Sequence, residues 1–344
     1  PARPGARPRP TYPRPMAPQS HAADPGAAPS AVPAQGLDRL VVAATDIKLS
    51  HSIFALPFAV LGAFMALPAP GTPALPGGML NVDGWARVAV QLTLVVICMV
   101  FARTWAMLIN RIADWRLDAM NPRTARRAVA SGKLARTDAI AMAVASAVAF
   151  CLCCAAFWNL LGNPWPTYLC LPVLAWLAVY SYAKRFTLLC HVLLGSALAI
   201  SPIAAAIAID PTALTRTPAI FTLAAMVACW VAGFDIIYAL QDEQFDRQSG
   251  LHSIPAALGP RRSAWISRSL HLLAIAALLA TLRLDPRLGV IFGIGIALAA
   301  GLLVLEHVVL HRRGLAGLPM AFFTINGVVS CVVGAAGVAD LTLG

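Results

Sequence analysis

Nine stretches of this chain run for about 17 to 25 residues with hardly a charged side chain, the length that carries a helix across a bilayer. They fall at roughly 49–68, 88–109, 138–161, 167–183, 187–209, 217–240, 264–282, 288–311 and 318–342. In hydrocarbon the backbone must satisfy its own polar groups, and an unbroken helix does this within one segment. Charged residues make up 12% of the chain, against about 25% in ordinary soluble domains. The pattern therefore predicts an all-α integral membrane protein with nine transmembrane helices, its partner being the lipid bilayer. Pro57, Pro172 and Pro202 lie inside these runs, as membrane helices tolerate.

Residues 1–37 are different in kind. Pro, Ala and Gly dominate, with four arginines and almost no large apolar side chain. Such a segment buries too little surface to offset its ordering entropy, so it is expected to be a disordered tail before a membrane domain at 38–344. The eight cysteines show no metal-ligand spacing, which predicts neither disulfides nor zinc.

The basic residues give the orientation. Numbering loops by the runs they join, loop 2–3 carries Arg111, Arg116, Arg123, Arg126, Arg127, Lys133 and Arg136. Loop 4–5 carries Lys184 and Arg185, loop 6–7 carries Arg247, Arg261, Arg262 and Arg268, and loop 8–9 carries Arg312 and Arg313. The opposite loops hold only Arg87, Arg216, Arg283 and Arg287. The positive-inside rule then places the N-terminus and these even–odd loops in the cytoplasm, in a bacterial-type inner membrane. The net charge of +11 reflects that topology in large part, and no basic stripe with interleaved aromatics suggests nucleic acid.

Two windows break the avoidance of acids. The first is Asn110-Arg-Ile-Ala-Asp114-Trp-Arg-Leu-Asp118, and the second runs from Asp235 through Tyr238, Asp242 and Glu243 to Asp246. They hold six of the 15 Asp and Glu residues. A carboxylate placed in hydrocarbon costs about 2.5–3.5 kcal/mol, so clusters at the ends of apolar runs mark a site. Steps of three and four put Asn110, Asp114 and Asp118 on one helical face, and Asp235, Tyr238, Asp242 and Asp246 on another. The two rows are expected to face each other across a central cavity, capped by cytoplasmic loops 2–3 and 6–7. Asn121-Pro122 and Gly250 are expected to end the helices just beyond them. Oxygen ligands without His or Cys suit Mg²⁺, which takes one or two carboxylates, keeps water and completes its shell with phosphate oxygens. The candidate metal ligands are Asn110, Asp114, Asp118, Asp235, Asp242 and Asp246. Lys184, Arg185, Arg111 and Arg123 are placed to complete an anion clamp.

These residues resemble the UbiA superfamily of intramembrane aromatic prenyltransferases. Asn110, Asp114 and Asp118 match its NxxxDxxxD signature, and Asp242 and Asp246 match its DxxxD-type signature, preceded by Asp235 and Tyr238. Tyr180-Ser-Tyr-Ala-Lys184 looks like its YxxxK element. Lys48 to Pro57, Asn121 to Thr124 and Gly250 to Pro255 are similar to the 4-hydroxybenzoate polyprenyltransferase branch and its relatives in menaquinone synthesis. Arg126-Arg-Ala-Val-Ala-Ser-Gly132 departs from the family by lacking two prolines. The resemblance implies Mg²⁺-dependent transfer of a prenyl group from a polyprenyl diphosphate to an aromatic acid, with 4-hydroxybenzoate expected and a naphthoate-type acceptor as the alternative. It implies catalytic roles for Asp114, Asp118, Asp242 and Asp246. Substrate contacts are expected from Lys48, Asn110, Arg123, Tyr180, Lys184, Arg185, Asp235 and Tyr238.

A cation-coupled transporter also buries acids, but its sites lie near the midplane between internal repeats, whereas both windows here sit at run ends. Glu306, His307 and His311 lie at helical spacing and are expected to pair with one another structurally. Lys48 also suits snorkelling, His51 packing, and Trp105 and Trp115 an interfacial belt.

Overall fold

The computed structural model describes residues 34–36, 38–46, 54–68 and 82–343. The expected tail, residues 1–37, and Lys48 with His51 fall almost wholly outside these residues.

Every regular element among the described residues is helical. A short α1 (Asp38–Asp46) precedes α2 (Leu56–Ala66), α3 (Val82–Met120), α4 (Arg136–Leu161), α5 (Trp165–Ala183) and α6 (Cys190–Ile209). The single-turn α7 (Ala213–Arg216), α8 (Ala219–Ala239) and α9 (Glu243–Gln248) follow, then α10 (Ile254–Leu284), α11 (Val290–Arg313) and α12 (Asn326–Leu343). Eight helices among the described residues are long and apolar enough to cross a membrane. The ninth expected span is α2, which has only 11 residues, with Pro57 in its first turn. It is buried among other helices rather than lipid-facing along its length.

Small residues bring the helices together, as they do where lipid offers no hydrophobic gain from packing. A side chain at Gly62 of α2 would collide with the backbone of Pro202 on α6, and one at Gly195 of α6 would collide with Ala228 on α8. The most buried helix, α8, packs between α6 and α10, with Ile220, Leu223, Met226, Trp230, Ile236 and Ile237 fully enclosed.

Polar side chains close the helix ends on the face away from the acidic windows. Arg287 donates to the carbonyls of Met65 and Leu67 at 2.7 Å each, which serves the C-terminus of α2. Asn163 and Gln91 donate to carbonyls at the end of α6. Asp340 of α12 accepts the Gly289 and Phe292 amides at 2.7 Å each and so caps the N-terminus of α11 from a neighbouring helix. Asp340→Ala leaves two helix-end donors without this acceptor. It is expected to cost about 1–2 kcal/mol, read as a lower thermal midpoint of the detergent-solubilised protein.

Candidate active site

The helix endings fix where the acidic rows stand. Asn121-Pro122 stops α3 at Met120, as the sequence predicts, and α9 ends at Gln248 just before Gly250, whose φ of 67° is costly for residues with a side chain. The first row lies wholly on α3. The second does not lie on one helix: Asp235 and Tyr238 are on α8, Asp242 closes a 3₁₀ turn over Leu240–Asp242, and Asp246 is on α9. A 3₁₀ turn advances three residues per turn rather than 3.6, which rotates the later acids relative to the expected straight row.

Both rows line one cavity of about 1190 Å³ bounded chiefly by α3, α4, α5, α6 and α8. Asn110, Asp114, Asp118, Arg123, Tyr180, Lys184, Arg185, Asp235, Tyr238, Asp242 and Asp246 all contribute to its wall. Loops 121–135 and 240–253 cover this polar end. The opposite part is apolar, with Val95, Met99, Phe150, Phe157, Val173, Leu177, Ile203 and Ile207. From Asp114 to Val95 the cavity follows α3 for about 28 Å at 1.5 Å per residue, close to the hydrocarbon thickness of a bilayer.

Each carboxylate meets a cationic or ionisable partner from another segment. Asp114 pairs with Arg185 at 2.7 Å, Asp118 with Arg127 at 2.7 Å and Asp246 with Lys184 at 3.2 Å. Asp242 takes Arg123 through both oxygens and accepts the Asn121 amide at 3.0 Å. Asp235 meets the buried His191 ring at 2.6 Å. Asn110 donates to Asp114 at 3.1 Å. The Asp118 Oδ2 is buried with no hydrogen-bond partner. Burial works against the charge of Lys184, but Asp246, Asp235 and Asp242 outweigh it and hold the ammonium above its ordinary pKa. Arg123 is likewise held above its ordinary value: burial opposes its charge, and its bonds to Asp242 and contact with Tyr238 prevail. Both cations therefore stay charged across neutral and mildly alkaline pH. The Tyr238 hydroxyl accepts from Arg123 at 3.2 Å, while its ring lies 4.2 Å from that of Phe322. Among the described residues no three His, Cys, Asp or Glu side chains converge into a closed metal cage.

Residues 54–328 match the UbiA prenyltransferase family along most of the membrane domain. The chain belongs to that family. The 4-hydroxybenzoate octaprenyltransferase of Shewanella sediminis (strain HAW-EB3) is 29% identical over 257 residues, covering 74% of this chain and 85% of the relative. That of Nitrosospira multiformis (strain ATCC 25196) is 30% identical over 258 residues, covering 74% and 84%. The apo structure of a UbiA homolog from Aeropyrum pernix K1 superposes with a TM-score of 0.71 at 30% identity, covering 85% of this chain and 98% of that one. A UbiA homolog from Archaeoglobus fulgidus, solved with GPP and Mg²⁺, shares the fold with a TM-score of 0.61 at 18% identity over 88% of this chain and 99% of that one. The resemblance read from the motifs thus holds, and this UbiA-family chain is a multi-span membrane prenyltransferase.

Several residues of this UbiA-family cavity lay outside the sequence reading. His191, behind the wall, reaches Asp235 from α6 across 44 residues, Arg127 reaches Asp118 from the loop nine residues on, and Arg103 stands in the wall two turns deeper along α3 than Asn110. A cation on an apolar run was the available signal for Arg103. Glu306 does not pair with His307 and His311. It accepts from Asn326 at 3.0 Å, while His307 meets His271 at 3.0 Å and His311 is exposed. The reason is packing: α12 and α10 present polar groups to the buried face of α11, and His311 points away from it. Ser253 caps α10 through the Ala256 amide, and Trp105 donates to the Leu174 carbonyl, both structural duties.

Proposed function

We propose that this protein is a divalent-metal-dependent polyprenyltransferase that moves the chain of a polyprenyl diphosphate onto 4-hydroxybenzoate. The observation that carries this reading is a single cavity whose end of paired acids and cations opens into an apolar channel of bilayer depth. Such a cavity suits a substrate with a diphosphate head and an isoprenoid tail. The names of the relatives support the acceptor, and the motif resemblance supports the roles of the rows.

The donor set fits a hard divalent cation such as Mg²⁺. The cavity acids supply oxygen ligands only, Asp118 Oδ2 is unpartnered, and Mg²⁺ needs no closed cage when substrate phosphates fill its shell. Asp114, Asp118, Asp242 and Asp246 would hold it, with Asn110 and Asp235 beside them. When bound, the cation offsets charge that develops on the departing diphosphate. Arg123, Lys184 and Arg185, now on the carboxylates, are placed to turn toward phosphate oxygens as these acids take up metal. The bond from prenyl C1 to the diphosphate oxygen breaks, and a ring carbon beside the acceptor hydroxyl bonds to C1 and then loses its proton, which leaves with the released diphosphate. Tyr238 and Phe322 present aromatic faces beside the reacting end, where they stabilise allylic positive charge and exclude water. Tyr180 lines the same region. Arg103, a cation of the cavity wall two turns deeper along α3 than Asn110, is placed to receive the acceptor carboxylate. The excess of basic residues at the acidic end supports a site on the cytoplasmic side.

The test offers membranes containing the protein a long-chain polyprenyl diphosphate with either 4-hydroxybenzoate or a naphthoate acid, in Mg²⁺ or EDTA. Metal-dependent product from 4-hydroxybenzoate is expected. Product from the naphthoate alone would reassign the acceptor, and no product from either would sink the reading. Arg103→Leu is expected to raise KM for the acceptor about tenfold or more, the worth of one charged hydrogen bond, with KM for the diphosphate unchanged.

A further inference from the structure

Helix α1 lies before the residues that match the family, yet it reaches the site. It docks through Ala43 against Leu108, Ala128, Val129 and Leu134, and Val41, Val42, Thr45 and Asp46 face the cavity. Asp46 at its end is bonded on both oxygens. Oδ2 accepts from Arg111 Nε at 2.8 Å, and Oδ1 accepts the Ala128 amide at 2.9 Å. Arg111 in turn donates to Asn110 Oδ1 at 3.0 Å, and Asn110 donates to Asp114.

Arg111 is buried, so it requires a carboxylate. On its own helix the carboxylates three and seven residues on, on the same face, are Asp114 and Asp118. Asp46 is the counter-ion that lies off that row. We infer that Asp46 is a positioning residue: by neutralising Arg111 from α1, it keeps that guanidinium from occupying the first carboxylate row and so leaves Asp114 and Asp118 able to bind metal. The inference rests on the metal-binding reading of that row. Through Ala128, Asp46 also anchors the loop that carries Arg127, the partner of Asp118.

The experiment titrates Mn²⁺ onto the full-length detergent-solubilised protein with a non-hydrolysable prenyl thiodiphosphate, reading free Mn²⁺ by EPR. Asp46→Asn keeps the shape and removes the charge. It is expected to weaken Mn²⁺ binding about 10- to 100-fold, as loss of outer-shell partners does. The double variant Asp46→Asn with Arg111→Gln is expected to bind no more weakly than Arg111→Gln alone, because the competing cation is gone. A merely structural role for Asp46 would make the double variant worse, not better. Equal Mn²⁺ midpoints in wild type and Asp46→Asn overturn the inference, as does a double variant as weak as Asp46→Asn. Asp46→Ser carries the same expectations if the Asn variant does not fold. Asp114→Ala separates the two levels: Mn²⁺ binding unchanged in that variant would defeat the reading of the row itself, whatever Asp46 does.

Discussion

Asp114→Ala is expected to reduce prenyl transfer by at least about a hundredfold while leaving the protein folded, the scale seen when one preorganised electrostatic group is removed from a reacting centre. The two halves of this expectation have separate causes. Asp114 faces the cavity and retains partial exposure, and its partner Arg185 also donates to the carbonyls of Ser181 and Ala113 at 3.0 and 2.8 Å. Truncation therefore strands no buried charge, and the fold loses little. Catalysis is expected to lose much, because the position that joins Asn110 and Arg185 to the proposed metal row is gone. Asp118 makes the opposite case. It is more deeply enclosed and pairs with Arg127, so Asp118→Ala risks stability together with activity. The check is a single-turnover assay on both variants beside their thermal midpoints. Wild-type turnover by Asp114→Ala would remove this residue from the chemistry, and loss of folded Asp114→Ala would make it structural.

The sequence made the rows legible because helical spacing is a local property. Asn110, Asp114 and Asp118 share a face by their steps of four alone, and the breaks at Asn121-Pro122 and Gly250 are local too. Lys184 and Arg185 were legible as cations at the end of an apolar run facing the same side. What spacing does not encode is which distant segment answers each acid. The Asp114–Arg185 pair joins residues 71 apart, and Arg123 reaches Asp242 across 119. His191 was invisible for this reason: it looks like a lone histidine opening an apolar helix until α6 is laid beside α8. Asp46 was passed over because it stands outside both acidic windows. The bend of the second row through a 3₁₀ turn also lay beyond reading, since Leu240-Gln-Asp242 carries no helix-breaking residue. Helical spacing pairs Glu306 with His307 and His311, whereas its partner, Asn326, sits on the next helix, 20 residues on.

That Glu306–Asn326 contact leads to the second large expectation: Trp230→Ala should destabilise the protein by about 3–5 kcal/mol, the cost of deleting a fully enclosed large aromatic. Trp230 fills the centre of the bundle on α8, with its ring centroid 5.4 Å from Phe58 and 5.0 Å from Phe234. Its indole also donates to Asn326 Oδ1 at 2.6 Å, while the Asn326 amide donates to Glu306 and to the Ala321 carbonyl. Asn326 thus closes a π-helical turn over Met320–Ile325, a wider turn than an α-helix allows and one that needs outside support. Phe322 on that turn packs against Phe234 at 5.3 Å and Tyr238 at 4.2 Å, so the buried bond is coupled to the polar end of the cavity. Trp230→Phe separates the two contributions. It keeps most of the ring volume but leaves Asn326 Oδ1 buried without its donor, which costs about 1–3 kcal/mol. Thermal midpoints are expected to fall in the order wild type, Trp230→Phe, Trp230→Ala. Prenyl transfer measured well below both midpoints should still be reduced in Trp230→Phe, since the turn carrying Phe322 loses its anchor while the core stays filled. Full activity in that variant would show that packing alone holds Phe322 against Tyr238. A Trp230→Phe variant as unstable as Trp230→Ala would instead place nearly all of the residue's contribution in the single hydrogen bond to Asn326.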